Sequence, residues 1–201
     1  MSGWKIINGE AAGLPTENVD TDQLIPARFM STPRAEGYGN FLLHDLRHDA
    51  DGTPTEDFHL NRHPDATVLV ARRNFGSGSS REAAVYALVD FGFRAVIAPS
   101  FGDIFASNAV NNGLLPARIG EDAADALIRR LDGTTASASI DLAAGTVTVA
   151  DQTVPFDLTP AWQEKLVNGW DDIDLTQKHA AEMQAFRTRR AAEQPWAVPH
   201  D

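Results

Sequence analysis

Thr67-Val68-Leu69-Val70-Ala71, then Asn74-Phe75-Gly76-Ser77-Gly78-Ser79-Ser80-Arg81-Glu82, then Ala83-Ala84-Val85-Tyr86-Ala87-Leu88-Val89: this stretch decides the fold. The first run is short, apolar and β-branched, the signature of a buried strand. The last is a helix former throughout. A strand that feeds a Gly/Ser loop into a helix N-terminus predicts an α/β domain. It also predicts an anion site, because unpaired backbone N–H groups and the helix dipole point outward there. Gly76 and Gly78 let backbone approach a ligand closely. Ser79, Ser80 and Arg81 then stand at the helix mouth as candidate functional residues.

Working outward towards the C-terminus, Gly92 supplies a helix stop and Phe93 to Ala98 a second buried strand. The result is a strand–helix–strand unit of about thirty residues. Pro99-Ser100-Phe101-Gly102-Asp103 leads into a short helix ending at Asn112-Gly113, and Leu114 to Ile119 reads as another strand. Glu121 to Leu131 places acids first and Arg129-Arg130 last, as a helix dipole favours. Ser137 to Leu142 and Thr146 to Ala150 alternate about Ala143-Ala144-Gly145, predicting a hairpin, with Thr153 to Phe156 as an edge. A helix over Pro160 to Asn168 and a single amphipathic helix over Leu175 to Ala192 complete the chain. The order predicts parallel pairing in the middle and antiparallel pairing later.

Towards the N-terminus, Trp4 to Gly9 reads as a first strand. In Asn18-Val19-Asp20-Thr21-Asp22 the acids either form a side-chain-to-backbone turn or place a carboxylate to orient a hydroxyl or an arginine. Residues 30–65 are irregular, the character of a lid or binding loop, and Arg28 and Arg34 are its candidate anion ligands. The spacings His44/His48 and His59/His63 suit metal ligation from a helix, but no third ligand is evident and Pro64 opposes a continuing helix. No metal site is expected.

The 201 residues are 43% apolar and 22% charged, enough for a full core in one domain spanning 1–201. A C-terminal helical extension is expected from about 158 to 201. The net charge of −11 argues against nucleic acid or an anionic membrane as partner, since either demands a basic face. No apolar run approaches the roughly 20 residues of a bilayer span, and no secretion signal is evident. A cytoplasmic location is the expectation. Cysteine is absent, so this chain alone offers no disulfide, thiolate nucleophile or conventional iron–sulfur cluster.

Ser79-Ser80-Arg81-Glu82 fits a capping box, with Ser79 and Glu82 bonding reciprocally. Capping and chemistry are compatible, because the same donors stabilise an oxyanion. As a dinucleotide fingerprint the loop fails: Arg81 replaces the small third residue, and no acid ends the next strand at Ala98-Pro99-Ser100. The hydrolase elbow and the Walker loop fail on residue order. What survives is a hydroxyl and an arginine suited to a small carboxylate, with Arg81 as a bidentate clamp and Ser79 as a proton acceptor. Elimination of a hydroxyl would also need an electrophile, which this chain lacks.

The four motifs Asn18-Val19-Asp20-Thr21-Asp22, Asn74 to Glu82, Ile97-Ala98-Pro99-Ser100-Phe101-Gly102-Asp103-Ile104-Phe105 and Asn112-Gly113-Leu114-Leu115-Pro116 together resemble the small subunits of isopropylmalate isomerase, in the aconitase superfamily. The resemblance runs from about Trp4 to about Trp196. It implies a three-layer β/β/α swivelling domain, and a large-subunit partner carrying a [4Fe–4S] cluster. No cofactor is implied on this chain. By motif, Ser79 resembles the family's base, Asp22 the aspartate that supports the site, and Ser80 and Arg81 the pair that binds a small dicarboxylate. Arg34, and after it Arg28, resembles a further substrate arginine. The implied reaction is dehydration of 2-isopropylmalate and rehydration at the neighbouring carbon, in leucine biosynthesis. Ser77, Ala83, Gly102 and Ala106 depart from the family's common Cys, His, Ala and Tyr. The departures keep open a paralogue acting on a citramalate- or homocitrate-type diacid, and a non-catalytic anion-binding module.

Overall fold

The computed structural model describes residues 3–78 and 80–197. Seven strands, β1 (Ile6–Leu14), β2 (Val68–Ala71), β3 (Ala95–Ala98), β4 (Leu115–Arg118), β5 (Thr135–Asp141), β6 (Thr146–Val149) and β7 (Gln152–Pro155), share one sheet. Their order is β4-β3-β2-β1-β5-β6-β7. The ladders β1–β2, β2–β3 and β3–β4 are parallel; β1–β5, β5–β6 and β6–β7 are antiparallel. The residue types explain the division. Every residue of β2 and β3 is buried, as strands covered on both faces must be, whereas β6 alternates partly exposed with buried positions.

The helices are α1 (Thr21–Leu24), α2 (His44–Arg47), α3 (His59–Arg62), α4 (Glu82–Phe91), α5 (Asp103–Asn111), α6 (Glu121–Arg130), α7 (Pro160–Asn168), α8 (Asp172–Gln177) and α9 (Ala180–Glu193). Two apolar clusters fill the molecule. In one, Ala84, Val85 and Leu88 of α4 and Phe105 and Ala109 of α5 pack on Leu69 and Val96. In the other, Leu127 and Ile128 of α6 meet Val68, Val70 and Ile97 from the parallel half of the sheet, and Ile140, Val147 and Val149 from the antiparallel half. The α/β class and the change from parallel to antiparallel pairing agree with the sequence.

Three expectations change. Strand β1 extends to Leu14, because Ala11, Ala12 and Leu14 are buried between β2 and β5. The expected final helix is two. Asp171 caps α8, its Oδ1 accepting from the N–H of Ile173 (2.8 Å) and Asp174 (2.9 Å), and the helix ends at Gln177. Helix α9 then starts after His179 and buries none of its residues. Residues 30–65 are short helical turns tied by side chains: Arg47 Nε donates to Asn61 Oδ1 (2.8 Å), and Asn61 Nδ2 donates to the carbonyls of Arg47 (2.6 Å) and Thr55 (2.8 Å).

The loop after β2 is clasped from both sides. Gly76 N–H donates to Val19 O (2.7 Å), Thr21 N–H to Ser77 O (3.0 Å), Phe75 N–H to Ser100 O (3.0 Å) and Gly102 N–H to Phe75 O (2.9 Å). At Gly76 the backbone has φ +70, and a Cβ there would lie 2.2 Å from the Phe105 ring. A left-handed side chain costs about 1–2 kcal/mol and overpacking about 1–3. Gly76→Ala is therefore expected to lose about 2–5 kcal/mol in urea unfolding. An unchanged midpoint would show that the clasp yields freely.

Candidate active site

Three segments far apart in sequence meet at the C-terminal ends of β2 and β3. The first is Asn18 to Asp22, the second Asn74 to Arg81, and the third Ser100 to Asp103. Asp20 and Ser77 form a parallel bridge, as do Phe75 and Phe101. Asn74 is at φ +60; its side chain donates to Asn18 Oδ1 (2.9 Å) and its N–H to Ser100 Oγ (2.8 Å).

In the first segment one aspartate caps a helix and the other pairs with an arginine. Asp20 Oδ1 accepts from Gln23 N–H (2.8 Å) and Gln23 Oε1 accepts from Asp20 N–H (3.0 Å), a reciprocal cap on α1. That cap aims Asp22, one position into the helix, away from the turn, and its Oδ1 accepts from Arg81 Nη1 in an ion pair. Arg81 sits at the N-cap of α4 with extended backbone. The capping box expected at Ser79 and Glu82 lies partly outside the described residues. Glu82 is the first residue of α4, not its third, and its Oε1 accepts from Asn112 Nδ2 (2.9 Å) at the end of α5. Asn74 to Phe75 must follow β2 into the clasp, so the chain turns into α4 later than propensity suggests. Ser79 lies outside the described residues, and Ser80 is exposed. Among the described residues no side chain caps the first-turn N–H groups of α4 at Arg81, which stands at that helix end.

The two further arginines are anchored elsewhere. Arg34 grips Asp90 through Nε (3.1 Å) and Nη2 (2.7 Å), with its guanidinium 3.9 Å from the centre of the Tyr86 ring. Asp90 is nine residues beyond Arg81 on α4, roughly 13 Å along the axis. Arg28 pairs with Asp45, Nη1 lying 3.0 Å from Oδ2, and stacks over Phe29. The bonded carboxylates push both guanidinium pKa values up. Asp90, Tyr86 and Asp45 were not legible as partners, since only tertiary packing brings them within reach. Thr21, between Asp20 and Asp22, is 1% exposed, its N–H donating to Ser77 O.

Of the two histidine pairs, His44 and His48 pack on each other, and His59 packs on Phe58. The rings of His44 and His48 stack with centroids 4.1 Å apart, and His48 Nδ1 lies 3.0 Å from His44 O. Among the described residues no group of three His, Asp or Glu side chains is placed to hold a metal ion. Burial, above all, lowers the pKa of His44 and of His59, whose Nε2 is enclosed without a hydrogen-bond partner. Both are thus harder to protonate folded than unfolded, so the unfolded chain takes up more protons and acid favours unfolding. Stability is expected to fall as pH drops below about 6.5, the ordinary histidine value. Asp172, held below its usual 3.8 by Lys165 and Asn111, contributes to loss only in stronger acid. Melting temperature against pH checks this: a flat profile from pH 6.5 to about 5 would contradict it, and His59→Gln should reduce the slope.

The profile of the family described as Aconitase C-terminal domain matches residues 1–122, from β1 through the clasp to the start of α6. The chain is 43% identical over 202 residues to the 3-isopropylmalate dehydratase small subunit of Rhodospirillum centenum, covering 98% of this chain and 100% of that one. It is also 43% identical to that of Geobacillus kaustophilus, over 94% and 98%. Its fold is similar to a crystal structure of 3-isopropylmalate dehydratase (leuD) from Methanocaldococcus jannaschii, with TM-score 0.63 and 28% identity over 90% of this chain and 98% of that one. A clasped Gly/Ser loop that presents an arginine at an open helix end, and kinship over nearly the whole length, agree: the chain belongs to the aconitase C-terminal domain family and, within it, to the 3-isopropylmalate dehydratase small subunits.

Proposed function

We propose that this chain is the small subunit of a hydro-lyase that interconverts 2-isopropylmalate and 3-isopropylmalate in leucine biosynthesis, and that it works only with a large subunit. The kinship over 98% of the chain supports the reaction. Within the geometry one observation carries the reading: Asp22 holds Arg81 at the N-terminus of α4, 59 positions away in sequence. There a carboxylate meets a guanidinium and a helix dipole together.

In this reading Arg81 and Ser80 bind the substrate carboxylates, and Asp22 fixes the arginine's fork. Ser79 takes the C–H proton beside a carboxylate as the hydroxyl departs, and a proton returns when water adds to the neighbouring carbon. The segment 30–65 is the substrate-recognition region, and Arg34, with Arg28 as its alternative, reaches the diacid on exchanging its carboxylate partner, Asp90 or Asp45, for the substrate. The residues of this chain do not fit an iron–sulfur cluster, because it has no cysteine. The partner would hold the [4Fe–4S] group, whose Lewis acidity would assist loss of the hydroxyl. No helix among the described residues is long and apolar enough to cross a membrane, in keeping with a location in the cytoplasm.

Purified chain alone should show no isomerase activity, and addition of a cognate large subunit should restore it. Turnover by the chain alone, or an inactive stoichiometric complex, would overturn the reading. In that complex Arg34→Lys should raise KM several-fold, because a point charge replaces a planar fork. An unchanged KM with a lower melting temperature would leave Arg34 as a strut on Asp90.

A further inference from the structure

A cavity of about 300 Å³ lies outside the clasp, between α5, the outer edge of β4 and the start of α7. Phe101, Ala106, Pro116, Leu158 and Trp162 make its walls. Its volume is at the low end of small-ligand pockets, the size that suits a ligand of amino-acid dimensions. Arg118 and Asp157 also line it, and both residues are exposed. They are held opposite each other, Asp157 N–H donating to Arg118 O (2.8 Å), yet among the described residues neither side chain enters an ion pair or a hydrogen bond. Elsewhere on this surface arginines do find carboxylates, as Arg72 finds Asp125 and Arg130 finds Asp151. An unpaired cation and an unpaired anion therefore share the lining of one apolar cavity. The N-terminus of α7 adds positive potential beside it, with Thr159 as its cap.

We propose that this cavity binds a free apolar α-amino acid, with its carboxylate on Arg118, its ammonium on Asp157 and its branched side chain among Phe101, Ala106 and Trp162. A zwitterion matches both charges at once, where a simple carboxylate would leave Asp157 unanswered and an amine would leave Arg118. The cavity and the catalytic loop are physically continuous. Phe101 is in edge contact with Phe75, which opens that loop, their centroids 6.4 Å apart. The proposal does not depend on the reaction assigned above, since none of the residues named for that reaction lines the cavity.

The test is titration calorimetry of the full chain with L-leucine, beside 4-methylpentanoate and 3-methylbutylamine, which keep its isobutyl side chain and lack one charge each. Leucine should bind saturably, and each comparator at least about tenfold more weakly, the value of one charge-assisted hydrogen bond. Arg118→Met and Asp157→Asn should each weaken leucine by about 10–100-fold. Ala106→Leu, which fills the cavity and leaves both charges in place, should abolish binding, with circular dichroism confirming that the variant is folded. The proposal is overturned if leucine gives no saturable heat, if 4-methylpentanoate binds as tightly as leucine, or if both charge variants bind normally.

Discussion

In the complex with the large subunit, Ser79→Ala is expected to lower kcat by about 10²–10⁴-fold, the range for loss of a positioned proton acceptor. KM should move little, because the carboxylate clamp remains. The expectation rests on position in the chain. In sequence Ser79 falls between Gly78, at φ +93, and Arg81, the N-cap position of α4. A hydroxyl there would have its oxyanion stabilised by the dipole and by a guanidinium, each shift of one pKa unit being worth about 1.4 kcal/mol. Exchange of the substrate's C–H proton with solvent separates this role from assembly: it should disappear in the variant while the subunits still co-purify. Normal turnover by Ser79→Ala would remove the serine from the chemistry.

Arg81→Ala should be nearly as damaging, lowering kcat/KM by about 10³-fold, or about 4 kcal/mol, as expected when a bidentate clamp on the substrate carboxylate is removed. Two losses combine. The substrate carboxylate loses its fork, and Asp22, 55% exposed at its side chain, loses its counter-charge beside an anionic substrate. Arg81→Lys should recover only part of the activity, because an ammonium cannot bond a carboxylate bidentately. Asp22→Asn should cost less than Arg81→Ala, since it disorders the guanidinium without removing it. If Asp22→Asn and Arg81→Ala were equally inactive, Asp22 would hold substrate or a proton itself. If Arg81→Ala were active, the clamp would have to lie elsewhere, with Arg34 the nearest substitute.

Much of this site was legible from residue types. Gly76 and Gly78 announced a loop that ordinary side chains resist, and both glycines have positive φ. The apolar runs of β2 and β3 announced buried parallel strands, and Pro160 with Gly169 bracketed α7 as found. Asp20 and Asp22 could not be separated by sequence, since either can cap or pair; the difference is that Asp20 stands at the N-cap of α1 and Asp22 inside it. The final helix was misjudged because its apolar period runs through the break at Lys178 and His179, where Lys178 pairs with Glu164 (2.6 Å). A buried lysine could not be foreseen at all. Lys165, 2% exposed, reaches Asn111 Oδ1 (2.5 Å) and Asp172 Oδ1 (2.6 Å), joining α5, α7 and α8.

The amino-acid order by itself determined the alternation of strands and helices, the change from parallel to antiparallel pairing, and a Gly/Ser loop between β2 and α4. These are local matters of period, glycine placement and helix polarity, which neighbouring residues settle among themselves. Only the tertiary structure decided which carboxylate answers which arginine: Asp22 for Arg81, Asp90 for Arg34, Asp45 for Arg28. Pairing of charges acts through space over a few ångströms, and residues 59 and 56 positions apart come that close only once the sheet has fixed where each loop ends.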